Sequence, residues 1–162
     1  NCVETGIEGP YELVYHNTVK NTGENSVARY TGSTEAIYIK PTTEFEQKYI
    51  GNTIETRGLR CFSSYSNRDD EYKGIYILNN SMNLENTDAS IACNYTRSDI
   101  EINCKKIKKI VIENNTGMMK DKKSVNIYTD KGYVMDYFSI HNPCMIGSVP
   151  EKARYCFNIN NN

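Results

Sequence analysis

Residues 93–104 read Cys93-Asn94-Tyr95-Thr96-Arg97-Ser98-Asp99-Ile100-Glu101-Ile102-Asn103-Cys104. From Asp99 onward they alternate. Ile100, Ile102 and Cys104 fall on one side, and Asp99, Glu101 and Asn103 on the other. A period of two is the pattern of a strand with one buried and one wet face. The bracketing cysteines and the glycosylation acceptor Asn94-Tyr95-Thr96 point to an oxidising, secretory environment.

Outward from this stretch the same pattern recurs. Residues 11–19, 26–31, 34–40, 53–56, 58–65, 72–79, 90–96, 98–104, 124–129, 133–140 and 153–159 all have strand character. Gly9-Pro10, Gly32-Ser33, Pro41 and Gly51-Asn52 punctuate them. Asp130-Lys131-Gly132 reads as a three-residue hairpin with its glycine in the left-handed position. Residues 66–71 read as a polar loop. Residues 42–50 fit either a short helix capped by Thr43 and Glu46 or a strand, and 105–113 stays open in the same way, with Ile110-Val111-Ile112 favouring a strand. About ten short strands without an internal repeat predict an all-β, single-domain antiparallel β-sandwich of two sheets over 1–162, with a closed barrel second.

The chain has 162 residues, enough for one domain. Apolar residues make up 38%, with 13 Tyr and no Trp, which suits strands whose tyrosines pack a ring and wet a hydroxyl. A net charge of −1 argues against bulk attraction to nucleic acid or an anionic membrane. No stretch approaches the roughly 20 apolar residues of a membrane span. Ile outnumbers Leu by 17 to 4, a bias that AT-rich codons would produce.

Cys2, Cys61, Cys93, Cys104, Cys144 and Cys156 are even in number and lack a C-x-x-C pair, which predicts a disulfide-stapled fold rather than a zinc site. The pairing is open, and Cys93 and Cys104 either close their own loop or staple outward. Acceptors at Asn79, Asn94 and Asn114 agree with a secreted, extracellular glycoprotein. The abrupt opening at Asn1-Cys2 suggests a piece of a longer chain.

No nucleophile motif accompanies His16 or His141, so no enzyme activity, metal or cofactor is expected. The better lead is acidic. Glu35, Glu44, Glu46, Glu55, Asp69, Asp70, Glu71, Asp99 and Glu101 are expected on exposed strand faces and loops, where they would steer a basic partner. Tyr65, Tyr72, Tyr76 and Tyr95 lie among them as candidate anchors. Lys105, Lys106, Lys108 and Lys109, with Lys120, Lys122 and Lys123, form one basic patch suited to a glycosaminoglycan or to protecting a sheet edge.

A Trp-free, Ile/Asn/Tyr-rich β-domain of this length with six cysteines, ending in Ala153-Arg154-Tyr155-Cys156-Phe157-Asn158-Ile159, resembles the SECRET chemokine-binding domain of poxviral TNF-receptor homologues. The resemblance implies a two-sheet sandwich, attached as the C-terminal module of a viral decoy receptor. It also implies sequestration of host chemokines, which are basic, on an acidic sheet face. The alternatives are a lipocalin-like small-molecule carrier, and a structural or adhesion domain of a parasite or viral surface protein that would self-associate or bind glycans.

Overall fold

The computed structural model describes residues 5–22, 35–56, 60–84, 98–117, 125–142 and 157–161. The first coil holds β1 (Ile7–Gly9), β2 (Leu13–Tyr15) and β3 (Thr18–Thr22). The second holds β4 (Glu35–Ile39), β5 (Glu46–Ile50) and β6 (Thr53–Thr56), and the third β7 (Arg60–Tyr72), β8 (Gly74–Leu78) and β9 (Ser81–Leu84). The winding continues through β10 (Ser98–Ile107), β11 (Lys109–Glu113), β12 (Val125–Thr129), β13 (Tyr137–His141) and β14 (Phe157–Asn161).

Strands at the same place in successive coils lie side by side. They form a six-stranded sheet β1-β4-β7-β10-β12-β14, a five-stranded sheet β13-β11-β8-β5-β2 and a three-stranded sheet β3-β6-β9. Every strand pair is parallel. The molecule is a three-sided parallel β-solenoid, in which each coil is one repeat stacked on its neighbours.

The antiparallel sandwich is therefore overturned, and the corners give the reason. A tight hairpin of the commonest type needs two consecutive left-handed residues. Here single residues take that conformation at the corners of the second sheet: His16 (φ 52°), Gly51 (φ 64°), Asn79 (φ 54°) and Asn114 (φ 55°). Each corner bends the chain into the next side of the coil instead of reversing it. Gly51 also has no room for a Cβ, which would stand 2.4 Å from the His16 ring.

Asp130-Lys131-Gly132 is likewise not a hairpin: Gly132 is left-handed (φ 78°), but β12 and β13 belong to different sheets. The supposed loop 66–71 is strand, inside β7. Both ambiguous stretches are strands too, at β5 and at the junction of β10 and β11. The strands expected at 26–31 and 90–96 lie outside the described residues, as does all of 153–159 before Phe157.

Inside the coils, side chains stack on their equivalents in adjacent coils. Ile37, Phe62, Ile100 and Val125 are in register along one row, and Tyr49, Ile77 and Ile112 along another. Val19, Ile54 and Met82 form a third. These stacks fill the interior that a carrier barrel would keep open. Each fully buried Ile contributes about 1.5–3 kcal/mol. β-Branched side chains suit such rows, because one rotamer repeats on every coil. The Ile-over-Leu bias thus has a structural use beside any codon origin.

Along one corner runs a ladder of asparagines, Asn17, Asn52, Asn80, Asn115 and Asn142. Asn52 Oδ1 accepts from Asn17 N–H at 2.9 Å, and Asn80 Oδ1 from Asn52 N–H at 2.8 Å. Asn115 Oδ1 accepts from Asn80 N–H at 3.0 Å, and Asn142 Oδ1 from Asn115 N–H at 2.9 Å. The side-chain amides also donate to backbone carbonyls of the preceding coil: Asn52 to Val14, Asn80 to Tyr49, Asn115 to Ile77 and Asn142 to Ile112. The internal repeat missed in the sequence is this corner: His16-Asn17-Thr18, Gly51-Asn52-Thr53, Asn79-Asn80-Ser81 and Asn114-Asn115-Thr116.

The disulfide expectation fails at two of its six positions. Cys61 and Cys104 are free, buried thiols. Cys104 stands opposite Ser66 on the neighbouring strand, roughly 16 Å along β7 from Cys61 at about 3.3 Å per residue. That is far beyond the reach of a disulfide. Burial holds the Cys61 thiol well above its ordinary pKa and pushes Cys104 up to about 11, so both stay protonated. Cys2, Cys93, Cys144 and Cys156 lie outside the described residues.

Candidate functional site

β7 is the longest strand described, and its second half runs past the neighbouring coil's corner. Between that overhang and the turn after β4 lies a cleft of about 400 Å³. Lys40, Thr42 and Thr43 line it from the second coil, and Tyr65, Arg68 and Asp70 from β7. Tyr65 is 53% exposed. Alternation along β7 sends Tyr65 outward, while Phe62 and Ser64 point into the core. Thr42 Oγ1 accepts the Glu44 N–H at 3.2 Å, and Thr42 O accepts the Lys73 N–H at 3.2 Å, which ties this wall to the third coil. Buried Tyr72 closes the floor, with its hydroxyl bonded to Ser66 Oγ.

The remaining acidic candidates divide. Glu35 and Asp99 are not on a surface at all: both are buried beneath the first sheet. Glu35 shares the inward face of Ile37 and Ile39, so alternation itself places it inside, whereas Asp99 is buried on the face opposite to Ile100 and Ile102. Glu35 meets Arg60 Nη1 at 3.3 Å, and Glu101 meets Arg60 Nη2 at 3.0 Å. Burial raises the Glu35 pKa above its ordinary value, with Arg60 working against the rise.

Four others sit outside but are matched by lysines brought close by the stacking of coils. Glu46 pairs with Lys109 at 2.8 Å, Glu55 with Lys20 at 3.0 Å, Asp69 with Lys105 at 3.1 Å and Glu71 with Lys108 at 3.1 Å. Hydrogen bonds from those lysines lower the pKa of Glu46, Asp69 and Glu71. The acidic face and the basic patch are thus largely one set of cross-strand pairs. Lys106 is half-buried beside them, Lys120, Lys122 and Lys123 lie outside the described residues, and Glu44 and Asp70 remain exposed at the cleft's corner.

Asn79 and Asn114 are exposed at left-handed corners, whereas Asn94 and Tyr95 lie outside the described residues. Lys40 and Arg68 were missed as site residues. The one signal for Arg68 was the Asn67-Arg68-Asp69-Asp70-Glu71 run, whose polarity reads as a loop when the strand behind it is invisible, and Lys40 had none.

No family model, no curated protein and no solved structure matches the chain.

Proposed function

We propose that the chain is a non-catalytic recognition module of the adhesion kind, a β-solenoid that binds a short glycan in the cleft at Tyr65. The observation that carries this is the cleft's composition: an exposed tyrosine ring beside Lys40, Arg68, two threonines and Asp70. A sugar ring lays its C–H face on an aromatic side chain and sends its hydroxyls to donors and acceptors around the rim. Glycosidic hydrolysis uses two carboxyl groups about 5–9 Å apart. The cleft lining offers one, Asp70, and no imidazole, which fits recognition rather than turnover.

Capture of basic chemokines, the function implied by the SECRET resemblance, has less support. Two of the acids it relies on are buried and four are neutralised by lysines. The sandwich that the resemblance implies is also not the fold. An extracellular setting belongs to the proposal, since the exposed acceptors Asn79 and Asn114 are open to a glycosyltransferase.

Glycan-array screening followed by calorimetric titration tests the idea. Tyr65→Ala is expected to weaken binding about tenfold or more while leaving the fold intact, because the ring is outside the core. Absence of glycan binding by the wild-type chain, or binding indifferent to Tyr65, sinks it.

A further inference from the structure

The outward face of the five-stranded sheet holds a second feature. Tyr15 is opposite Ile50, which is opposite Leu78. Two residues back along β8 stands Tyr76, opposite Val111, which is opposite Ser139. Two residues back along β13 stands Tyr137. Tyr15, Tyr76 and Tyr137 therefore lie on one straight diagonal, each step two strands across and two residues along. At about 4.8 Å per strand and about 3.3 Å per residue, successive tyrosines are about 12 Å apart.

Tyr15 and Tyr137 are 56% and 54% exposed, and Tyr76 is half-buried between them. The floor between the rings is apolar, made by Ile50, Leu78 and Val111. Exposed Lys48 stands opposite Tyr76, Glu46 pairs with Lys109, and Ser139 Oγ donates to Glu113, so two lysines and two carboxylates balance across the face. A flat, charge-balanced face suits an uncharged ligand. Rings in a straight line suit a stiff ribbon rather than a folded partner. Their spacing is close to two sugar units of an extended β-linked chain, so every second sugar would meet a ring.

We propose that this face docks a neutral, linear β-1,4-linked polysaccharide along the Tyr15–Tyr76–Tyr137 diagonal, separately from the Tyr65 cleft. The sheet supplies the flatness, because parallel coils repeat each outward position at a constant spacing.

Co-sedimentation with microcrystalline cellulose and with chitin tests the proposal. The wild-type chain is expected to pellet with at least one of them. Tyr15→Ala and Tyr137→Ala are each expected to weaken retention about three- to tenfold, in keeping with the loss of one aromatic contact. The double variant should stay in the supernatant. Tyr65→Ala should be retained like the wild type, so failure of the cleft and failure of the face are told apart. Circular dichroism spectra of the alanine variants that match the wild type guard against misfolding as the cause of loss. No retention on either polymer, retention that ignores Tyr15 and Tyr137, or retention that follows Tyr65 overturns the proposal. So does a wild-type dimer in analytical ultracentrifugation that the double variant converts to monomer, since a second copy would then be the occupant.

Discussion

Two buried polar systems share this solenoid, the asparagine ladder at one corner and the Glu35–Arg60–Glu101 group beneath the first sheet. In the ladder, Asn80 uses its whole capacity. Its Oδ1 accepts from the Asn52 backbone and side chain, and its amide donates to Tyr49 O and Asn115 Oδ1. In the charged group, Glu35 Oε2 and Arg60 Nε are buried without a hydrogen-bond partner among the described residues. The difference follows from repetition. An amide carries both a donor and an acceptor, so identical amides stacked at the coil spacing satisfy one another indefinitely. A carboxylate stacked on a carboxylate repels, so charges must be matched by a cation in a geometry that occurs once.

The ladder should therefore be the costlier system to interrupt. Asn80→Leu removes the acceptor for two Asn52 donors and the side-chain donor to the Tyr49 carbonyl, while Asn115 Oδ1 keeps only the Asn80 backbone N–H. Buried groups left unmade cost about 1–3 kcal/mol each, so a loss on the order of 4 kcal/mol is expected. Urea titration of the variant measures it. A loss below about 1 kcal/mol, within the range of an ordinary surface change, would mean that the ladder is replaceable.

Arg60→Met tests the other side. It leaves Glu35 and Glu101 facing each other, and breaking a buried ion pair from one side costs about 3–5 kcal/mol. The low end is expected, because the Glu101 side chain keeps 17% exposure. Replacing all three with Leu, Met and Leu should recover most of that loss, since apolar substitutes for a buried charge group are often neutral. If the triple variant is no more stable than Arg60→Met, the group supports the fold as the ladder does, and the contrast fails.

The two systems also differ in how far the sequence reveals them. Alternation in Asp99–Cys104 identified a strand, but alternation is the same in parallel and antiparallel sheets. It therefore says nothing about which strand lies alongside. The deciding signal was the corner: an Asn after a left-handed residue and before Thr or Ser, recurring at unequal intervals because the intervening loops vary. Two of the apparent glycosylation acceptors, Asn79-Asn80-Ser81 and Asn114-Asn115-Thr116, are that corner. Their triplet spelling follows from fold geometry whether or not a glycan is attached. The cross-strand lysines were legible as charge, yet their partners are many residues away, as with Lys109 and Glu46. Only the register makes a basic patch and an acidic face into one paired surface. Likewise Tyr65 was visible as an anchor, whereas Lys40 joins it through strand stacking that no local pattern encodes.

The smallest expected effect concerns pH. Burial makes the folded chain hold the Glu35 proton more tightly than the unfolded chain does, above the ordinary carboxyl value of 4.5. That contribution to stability is present below 4.5 and is lost as pH rises through the folded value. Glu46, Asp69 and Glu71 have the opposite sign: their lysine partners stabilise the ionised form, and this is lost as pH falls. Glu35→Gln fixes the neutral form and puts an amide nitrogen where Oε2 lacks a partner. The variant should therefore gain on the wild type as pH rises from about 4 to about 7. Glu71→Gln should drift weakly the other way, because its pair is exposed and screened. Urea midpoints at the two pH values separate these trends. In Arg60→Met the opposing pull on Glu35 is gone, so the pH dependence should steepen. A gap between Glu35→Gln and wild type that stays constant with pH would mean that Glu35 takes up its proton equally in the folded and unfolded chain, with burial offset in full. Arg60 alone would then suffice to hold a charge that the rest of the solenoid interior excludes.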